Sequence, residues 1–260
     1  MLYCPLASGS KGNCHLIKGE DTIILVDAGT SARNITCQLA SLGATPCDVS
    51  AILITHEHID HIAALDVLVR KHNIPVYCNL DTARAVQKRF PSLCDGCFNI
   101  INPGCGFFIN ELEISPFKTP HDAAASMGYS FSVGLKKITV ATDIGHMTAE
   151  ILDHLKGAQL VALESNHDEQ MLAQGSYPFA LKRRILGNNG HLSNKNCGAT
   201  LARLVGCGLK QAVLCHLSQE NNTPELAYNT VAQALLGAGG GDLPIDIAHQ
   251  ERRGAVYNIT

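Results

Sequence analysis

Short runs of apolar, mostly β-branched residues recur along the chain, and polar or turn-forming residues bound each of them. Runs of this length and composition are typical of β-strands. The pattern therefore predicts strands distributed over most of the chain. The predicted strands are 22–26, 51–55, 75–78, 138–141, 159–163 and 211–215.

Segments with helical spacing lie between these strands. One predicted helix has its apolar residues on a single face, at Ile62, Leu65, Leu68 and Val69. Another begins at Pro224 with Thr223 as its N-cap, because proline suits the first helical position and a threonine hydroxyl can accept a backbone N–H. The predicted helices are 59–72, 82–90, 149–155, 196–205 and 224–236.

Strands that alternate with helices predict an α/β protein. Several predicted strands lie close together in the first part of the chain, so a simple doubly wound sheet is not assured. There is no low-complexity linker and no internal repeat, and the clearest loop is the glycine-rich segment 237–242. We therefore expect a single domain over residues 1–260.

The charge balance gives no sign of a general affinity for nucleic acid. The net charge is −3 and charged residues make up 17% of the chain. A nucleic-acid substrate would need a local positive patch, and the densest basic run is Lys182, Arg183 and Arg184. A solvated helix face explains that run equally well.

The N-terminus lacks the basic and apolar regions of a secretory signal, and no apolar stretch reaches the roughly 20 residues that span a bilayer. We therefore expect a cytoplasmic protein without membrane contact, whose 11 cysteines are reduced thiols. Cys94 and Cys97 form a Cys-x-x-Cys pair near Cys105. A structural metal site there would need a fourth ligand that the sequence does not identify, so ordinary loop cysteines are favoured.

A dense cluster of metal-ligand residues follows the strand predicted at 51–55. It consists of His56, His58, Asp60 and His61. Imidazole nitrogen and carboxylate oxygen suit zinc, iron or manganese, and the sequence leaves the choice among them open. Two of these residues could serve one ion and two a second, so the cluster predicts a site for two divalent metal ions.

The six-residue segment 56–61 cannot supply all the ligands of two metal sites, so further ligands must come from other strand ends. His121 follows the apolar run 114–118, Asp143 follows the strand predicted at 138–141, and His216 follows the strand predicted at 211–215. Each of these residues alone is a weak signal. Together with the first cluster they supply the ligands that two ions require.

The motif series resembles the metallo-β-lactamase superfamily over nearly the whole chain. The resemblance implies a four-layer αββα sandwich, in which two mixed β-sheets are flanked by helices. It also implies that His56, His58 and His121 hold one ion, that Asp60, His61 and His216 hold the other, and that Asp143 bridges both. Asp27 would be a structural residue that orients the site.

Four further runs narrow the resemblance to the bacterial YycJ/WalJ-like branch, which is linked to 5′-to-3′ exonuclease activity on DNA. They are SGSKGN at 8–13, ESNHD at 164–168, GHLSN at 190–194 and HLSQENN at 216–222. The resemblance implies substrate binding by Ser10, Asn13, Asn166, His167, Ser193 and Asn221. One departure is Ala64, where the superfamily usually has glycine, and it removes no ligand.

The predicted chemistry is hydrolysis of a phosphodiester by a hydroxide that two metal ions share. Asp60 or Asp143 would orient the nucleophile, and His191 would assist the leaving oxygen. Two other functions remain open at this point. One is hydrolysis of small thioesters or esters, as in glyoxalase II, and the other is metal binding by a sensor without turnover. Oligomeric state and cleavage polarity are not determined by the sequence.

Overall fold

The apolar strands are stacked in two β-sheets in the structure, a computed structural model that describes residues 1–260. In chain order the strands are β1 (Leu2–Ala7), β2 (Cys14–Lys18), β3 (Ile23–Val26), β4 (Ala51–Leu53), β5 (Val76–Cys78), β6 (Phe98–Ile100), β7 (Phe107–Ile109), β8 (Leu112–Lys118), β9 (Met127–Val133), β10 (Lys136–Ala141), β11 (Leu160–Glu164), β12 (Gln211–Cys215), β13 (Ile245–Ile247) and β14 (Tyr257–Asn258).

Nine α-helices and two short 3-10 turns connect the strands. The helices are α1 (Ala32–Ala40), α2 (Ile59–Ile62), α3 (Leu65–His72), α4 (Leu80–Arg89), α5 (Ala149–Leu155), α6 (Glu169–Gln174), α7 (Phe179–Ile185), α8 (Asn194–Ala202) and α9 (Pro224–Gly237). No helix combines the length and apolar character that crossing a bilayer requires.

Each sheet has seven strands, and its strand pairs are antiparallel in one half of the sheet and parallel in the other. The orders are β14-β1-β2-β3-β4-β5-β6 and β13-β12-β11-β10-β9-β8-β7. The pairs from β3 to β6 and from β10 to β13 are parallel, and the others are antiparallel. Two mixed sheets flanked by helices confirm the fold class expected from the sequence.

The four layers pack against one another through three apolar cores, one between each pair of adjacent layers. The central core joins the two sheets, with Val26 and Leu53 from one sheet and Tyr129 and Leu160 from the other. A second core lies between the first sheet and helices α1, α3 and α4, and a third lies between the second sheet and helices α5, α8 and α9. Neighbouring residues of β3 and β11 alternate between two cores, which explains why these strands are apolar at consecutive positions.

All six predicted strands are present, with ends that differ by no more than two residues. The N-cap prediction is confirmed, since the Thr223 hydroxyl accepts a hydrogen bond from the backbone N–H of Leu226 at 3.1 Å. The predicted apolar face at 62, 65, 68 and 69 is buried.

The prediction of one continuous helix over 59–72 is wrong, because the helix breaks at Ala63 and Ala64. In a continuous helix the Asp60 carbonyl would accept from the N–H of Ala64. Here the Asp60 carbonyl accepts from the N–H of Asn13, and the N–H of Ala64 donates to the Ala28 carbonyl, both at 2.8 Å. Backbone from two other loops therefore replaces the helical hydrogen bonds. Ala64 has right-handed φ and ψ, so glycine is not required there.

The loop after β3 packs directly against the start of α2 at Gly29. A Cβ atom on Gly29 would lie 1.6 Å from the Asp60 carbonyl oxygen. Gly29 therefore permits the close approach that joins the two loops.

We predict that Gly29→Ala lowers the melting temperature and weakens metal binding, because the start of α2 must move to admit the methyl group. Overpacking of this kind typically costs about 1–3 kcal/mol. Thermal unfolding and a metal titration measure the two effects. Gly237→Ala is the matched control, since nothing lies within 4 Å of a Cβ there. Equal behaviour of the two variants would contradict the prediction.

Candidate metal centre

The seven predicted ligands come together where strands of both sheets end. His56, His58, Asp60 and His61 lie in the loop after β4 and in the first turn of α2, while His121 follows β8, Asp143 follows β10 and His216 follows β12. The side chains of this region form four groups, and within each group the ligand atoms all lie within 4.8 Å of one another. The ends of parallel strands meet at one edge of a sheet, which explains the convergence.

Backbone strain marks three of the residues at these strand ends. Asp27, Asp143 and His216 have φ values of 64°, 57° and 56°. Residues other than glycine rarely adopt this left-handed region, and such strain concentrates at functional sites. Each of these residues turns the chain sharply after a strand and directs its side chain toward the cluster.

The first ligand group is the histidine trio His56, His58 and His121. Their ring centroids are 4.6–5.1 Å apart. The Nδ1 of His121 donates to the Gly190 carbonyl at 3.1 Å, which leaves Nε2 for the cluster. Burial lowers the pKa of His56 and His121, so both rings are neutral and have a lone pair to offer.

The second ligand group contains Asp60, His61 and His216. The Oδ2 atom of Asp60 lies 3.5 Å from His61 Nε2 and 3.6 Å from His216 Nε2. Burial alone would lower the pKa of His216, but the carboxylates of Asp143, Asp60 and Glu164 raise it to about 10. The cluster therefore attracts positive charge strongly.

Asp143 lies between the two groups. Its Oδ2 is 3.3 Å from His61 Nε2, and its Oδ1 is 3.7 Å from His121 Nε2. Burial would raise the pKa of Asp143, yet the histidines around it hold the pKa well below its usual range. The side chain is therefore a carboxylate that reaches both groups.

The donor set fits divalent metal ions. His56 Nε2 and Asp143 Oδ2 are buried and have no hydrogen-bond partner within the protein. A buried polar atom without a partner is costly, and a bound cation would satisfy both atoms. Histidine nitrogen with carboxylate oxygen is a common ligand set for zinc, manganese and iron.

Asp27 is almost fully buried and contacts the second group through His61. It accepts hydrogen bonds from the backbone N–H and the hydroxyl of Thr55, both at 2.8 Å. It also accepts one from His61 Nδ1 at 2.7 Å. That contact keeps the Nδ1 proton away from the cluster and leaves Nε2 as the coordinating nitrogen.

Glu164 lies behind His191 and His216 in the second sheet, as Asp27 lies behind His61 in the first. The sequence does not identify Glu164 as a site residue. Its Oε1 accepts from His191 Nδ1 at 2.8 Å and from His216 Nδ1 at 2.9 Å. Its Oε2 accepts from the backbone N–H groups of Ile144 and Leu192. The sequence signals were an acidic residue at the end of a buried strand and its place at the start of the ESNHD run.

The contacts of Glu164 are hydrogen bonds rather than metal coordination. Asp143, Glu164, His191 and His216 also form a compact group of ligand atoms. However, both histidines face Glu164 through Nδ1 at hydrogen-bond distance, which leaves their Nε2 atoms free. Burial would raise the pKa of Glu164, but His191 and His216 outweigh it and lower the pKa to about 2.

A cleft of about 250 Å³ opens over the ligand cluster. Residues of the metal groups line its floor, His191 and Ser218 line one part of its wall, and Tyr177 and Arg184 line another. Most of the lining is polar. A small anionic group could enter this cleft and meet the metal ligands.

The structure separates the six predicted substrate-binding residues into two sets. Ser10 and Asn166 line the cleft. The other four are buried and are absent from its lining: Asn13, His167, Ser193 and Asn221.

Two of the buried residues have clear structural contacts. Asn13 closes its own loop, since its Oδ1 accepts from the N–H of Gly9 at 2.9 Å. Ser193 caps α8 by accepting from the N–H of Asn196. These contacts hold loops together, and substrate contact by the two side chains stays a prediction.

Cys94 and Cys97 lie on an exposed turn, with their sulfur atoms 3.4 Å apart. No third histidine, cysteine or acidic ligand atom joins them in a group that could hold a metal. The favoured interpretation as loop cysteines agrees with this geometry.

The sequence and the fold of this chain both resemble those of known proteins. The profile of the beta-lactamase superfamily domain (Lactamase_B_2) matches residues 22–217. The exodeoxyribonuclease YycJ of Bacillus anthracis is 37% identical over 239 residues, which cover 92% of this chain and 90% of the relative. The exodeoxyribonuclease WalJ of Streptococcus pneumoniae serotype 2 is 38% identical over 243 residues, which cover 91% of this chain and 90% of the relative.

Two solved structures share the fold at low sequence identity. The metallo-beta-lactamase fold protein YhfI from Bacillus subtilis superposes with a TM-score of 0.71 at 16% identity, covering 99% of this chain and 100% of that chain. Zn²⁺-bound PqqB from Methylobacterium extorquens has a TM-score of 0.69 at 15% identity, with both chains fully covered.

We predict that Glu164→Gln weakens metal binding by about 10–100-fold, the usual effect of losing a partner that orients a ligand. Four donors converge on Glu164. A glutamine would therefore point its own NH₂ at two of them in either orientation. Competition with a chromophoric chelator measures the affinity. Glu169→Gln is the matched control, because Glu169 is an exposed helix residue that accepts from Ser193 alone. Wild-type affinity in a folded Glu164→Gln protein would contradict the orienting role.

Proposed function

The chain belongs to the β-lactamase superfamily, and we propose on that basis that it is a dinuclear metal-dependent phosphodiesterase that removes nucleotides from the 5′ end of DNA. The observation that carries the proposal is the hydrogen bond between His191 and Glu164 at the wall of a polar cleft, directly beside the ligand cluster. The relatives named as exodeoxyribonucleases, which share 37–38% identity with nearly the whole chain, support DNA as the substrate.

The residues divide naturally between two ions. His56, His58 and His121 would hold one ion, Asp60, His61 and His216 would hold the other, and Asp143 would contact both. When bound, the ions would supply an activated water nucleophile and Lewis acidity toward the phosphoryl oxygens. Imidazole and carboxylate donors accommodate zinc, manganese or iron.

The protein's own side chains would position the nucleophile. Asp60 is the more exposed of the two aspartates, with 23% of its side chain accessible, and it lines the cleft. Its carboxylate can accept a hydrogen bond from a water molecule there and so orient it. Asp143 is almost fully buried, so its role would be to hold the two ligand groups in register.

His191 would donate a proton to the leaving oxygen. Its Nδ1 is held by Glu164, so Nε2 is the nitrogen available to the cleft. Burial would lower the pKa of His191, but the carboxylates of Glu164 and Asp143 raise it above its ordinary value. A positioned imidazolium of this kind is a suitable general acid.

The composition of the cleft favours a phosphodiester over a small thioester. Arg184 and His191 lie in its wall and its lining contains few apolar side chains. A phosphodiester carries a charge that these groups can neutralise, whereas an acyl thioester is neutral at the reacting carbon. Phosphoryl transfer depends mainly on positioning and on stabilising this charge.

We predict that the metal-saturated protein holds two divalent ions per chain, and that His121→Ala and His216→Ala each hold one. Elemental analysis after removal of excess metal measures the ratio. His146→Ala is the matched control, because His146 is exposed and lies outside both ligand groups. A single ion in the wild-type protein would rule out the dinuclear mechanism.

We predict that His191→Ala retains its metal but loses about 10²–10⁴-fold of its turnover on DNA, the usual contribution of a general acid. The loss should be much smaller on bis(p-nitrophenyl) phosphate, because nitrophenolate leaves without protonation. His146→Ala again serves as the control. Equal losses on both substrates would remove the general-acid role while leaving the hydrolase intact.

The activity itself is tested with 5′-labelled single-stranded and duplex DNA in zinc, manganese and iron. Release of labelled mononucleotide as the first product would support the proposal. Cleavage of an acyl thioester with DNA left intact would instead identify a thioesterase. Bound metal with no turnover on either substrate would identify a sensor.

A further inference from the structure

Helix α7 forms one side of the cleft, yet it buries none of its residues. Leu181, Arg184 and Ile185 line the cleft from this helix. Seven residues are too few for a helix to be stable by itself in water, and helical stability usually comes from packing an apolar face. Leu181 and Ile185 are only half-buried where they line the cleft, so most of the surface of α7 is open to a molecule outside the protein.

Two side-chain hydrogen bonds connect α7 to neighbouring segments. The Nζ atom of Lys182 donates to the Ala173 carbonyl at 2.7 Å, at the end of α6. The Nε atom of Arg184 donates to the carboxylate of Asp122 in the cleft. The terminal nitrogens of Arg184 have no protein partner, so they remain available to an anion in the cleft.

The outer face of α7 combines an exposed aromatic ring with a cation. Phe179 is 75% exposed. The guanidinium carbon of Arg183 lies 5.9 Å from the centre of its ring. The helix contains three consecutive cations and no acidic residue, in a chain whose net charge is −3. An aromatic platform beside cations is the usual arrangement for binding an unpaired nucleic-acid strand.

The order of these groups along the helix sets the path that a nucleic-acid strand would take from the cleft. Arg184 lies in the cleft wall, whereas Phe179 is absent from the cleft lining. Arg184 lies five positions after Phe179, which is a rise of about 7.5 Å along the helix axis. A strand that leaves the cleft across α7 would therefore meet Arg184 first and then the ring of Phe179 with Arg183 beside it.

We propose that α7 is the docking platform for single-stranded DNA, with one base stacked on Phe179 and the backbone phosphates on Arg183 and Arg184. This inference rests on the proposed nuclease function and extends it, because it assigns a binding site that begins at Arg184 in the cleft and continues beyond it. The platform would select a single strand, since both faces of a base are free for stacking only when the strand is unpaired.

Phe179→Ala tests the stacking role in the full-length, metal-loaded protein. Its matched control is Phe108→Ala, because Phe108 is 68% exposed on β7 and outside the cleft. Hydrolysis is measured on a single-stranded 20-mer, a dinucleotide and bis(p-nitrophenyl) phosphate. We expect Phe179→Ala to lower kcat/KM on the 20-mer about tenfold through KM, as alanine substitution of a stacking platform does. Its kcat/KM on the two short substrates should be unchanged.

Arg183→Ala tests the phosphate contact, with Arg89→Ala on α4 as the matched control. Loss of one phosphate contact should reduce the slope of log affinity against log salt by about 0.7 for a single strand. Fluorescence anisotropy of a labelled oligonucleotide, in the His191→Ala background that slows hydrolysis, measures that slope.

The outcomes distinguish this inference from the proposed function. If the wild-type protein hydrolyses the 20-mer and Phe179→Ala matches Phe108→Ala on it, the platform is overturned and the nuclease stands. If Phe179→Ala slows all three substrates equally, the platform is also overturned, because the damage then lies in the cleft. If the wild-type protein hydrolyses no phosphodiester, both proposals fail.

Discussion

A buried carboxylate loses its hydrogen bonds to water and needs hydrogen-bond donors from the protein. Two such carboxylates organise the structure around the ligand cluster. Asp27 in the first sheet and Glu164 in the second are almost fully inaccessible to solvent. Asp27 accepts from one backbone N–H and from His61, while Glu164 accepts from two backbone N–H groups and from His191 and His216. Removing any one donor would leave a buried charge partly unpaired, which costs several kcal/mol. Each carboxylate therefore connects loops on its own side of the molecule, at the place where the strand ends deliver the metal ligands.

The sequence predicts the parts of this arrangement that depend on local pattern. Apolar runs identify the central strands, and ligand-type residues directly after them identify the edge of the sheets where the site lies. The motif series also identifies the superfamily and its exonuclease branch, and the fold and the relatives confirm both. The ligand assignments and the roles of the substrate-binding residues stay predictions.

The features that the sequence does not predict depend on contacts between distant segments. The break between α2 and α3 arises because Asn13 and Ala28 take over hydrogen bonds of the helix, and no pattern near Ala64 encodes that. Glu164 acts on His191 and His216, which are 27 and 52 residues away. Asn13 and Ser193 belong to motif runs that suggest substrate contact, yet a polar residue that closes a loop looks the same in sequence as one that binds a ligand.

The left-handed backbone at Asp27, Asp143 and His216 has an evolutionary consequence. Strain of this kind costs of order 1–3 kcal/mol at each position, and glycine relieves much of it. Replacement of Asp143 by glycine would therefore remove a carboxylate while relaxing the backbone. One substitution would both abolish activity and relieve strain. Once selection for catalysis is relaxed, lineages with this fold should accumulate glycine at this strand end.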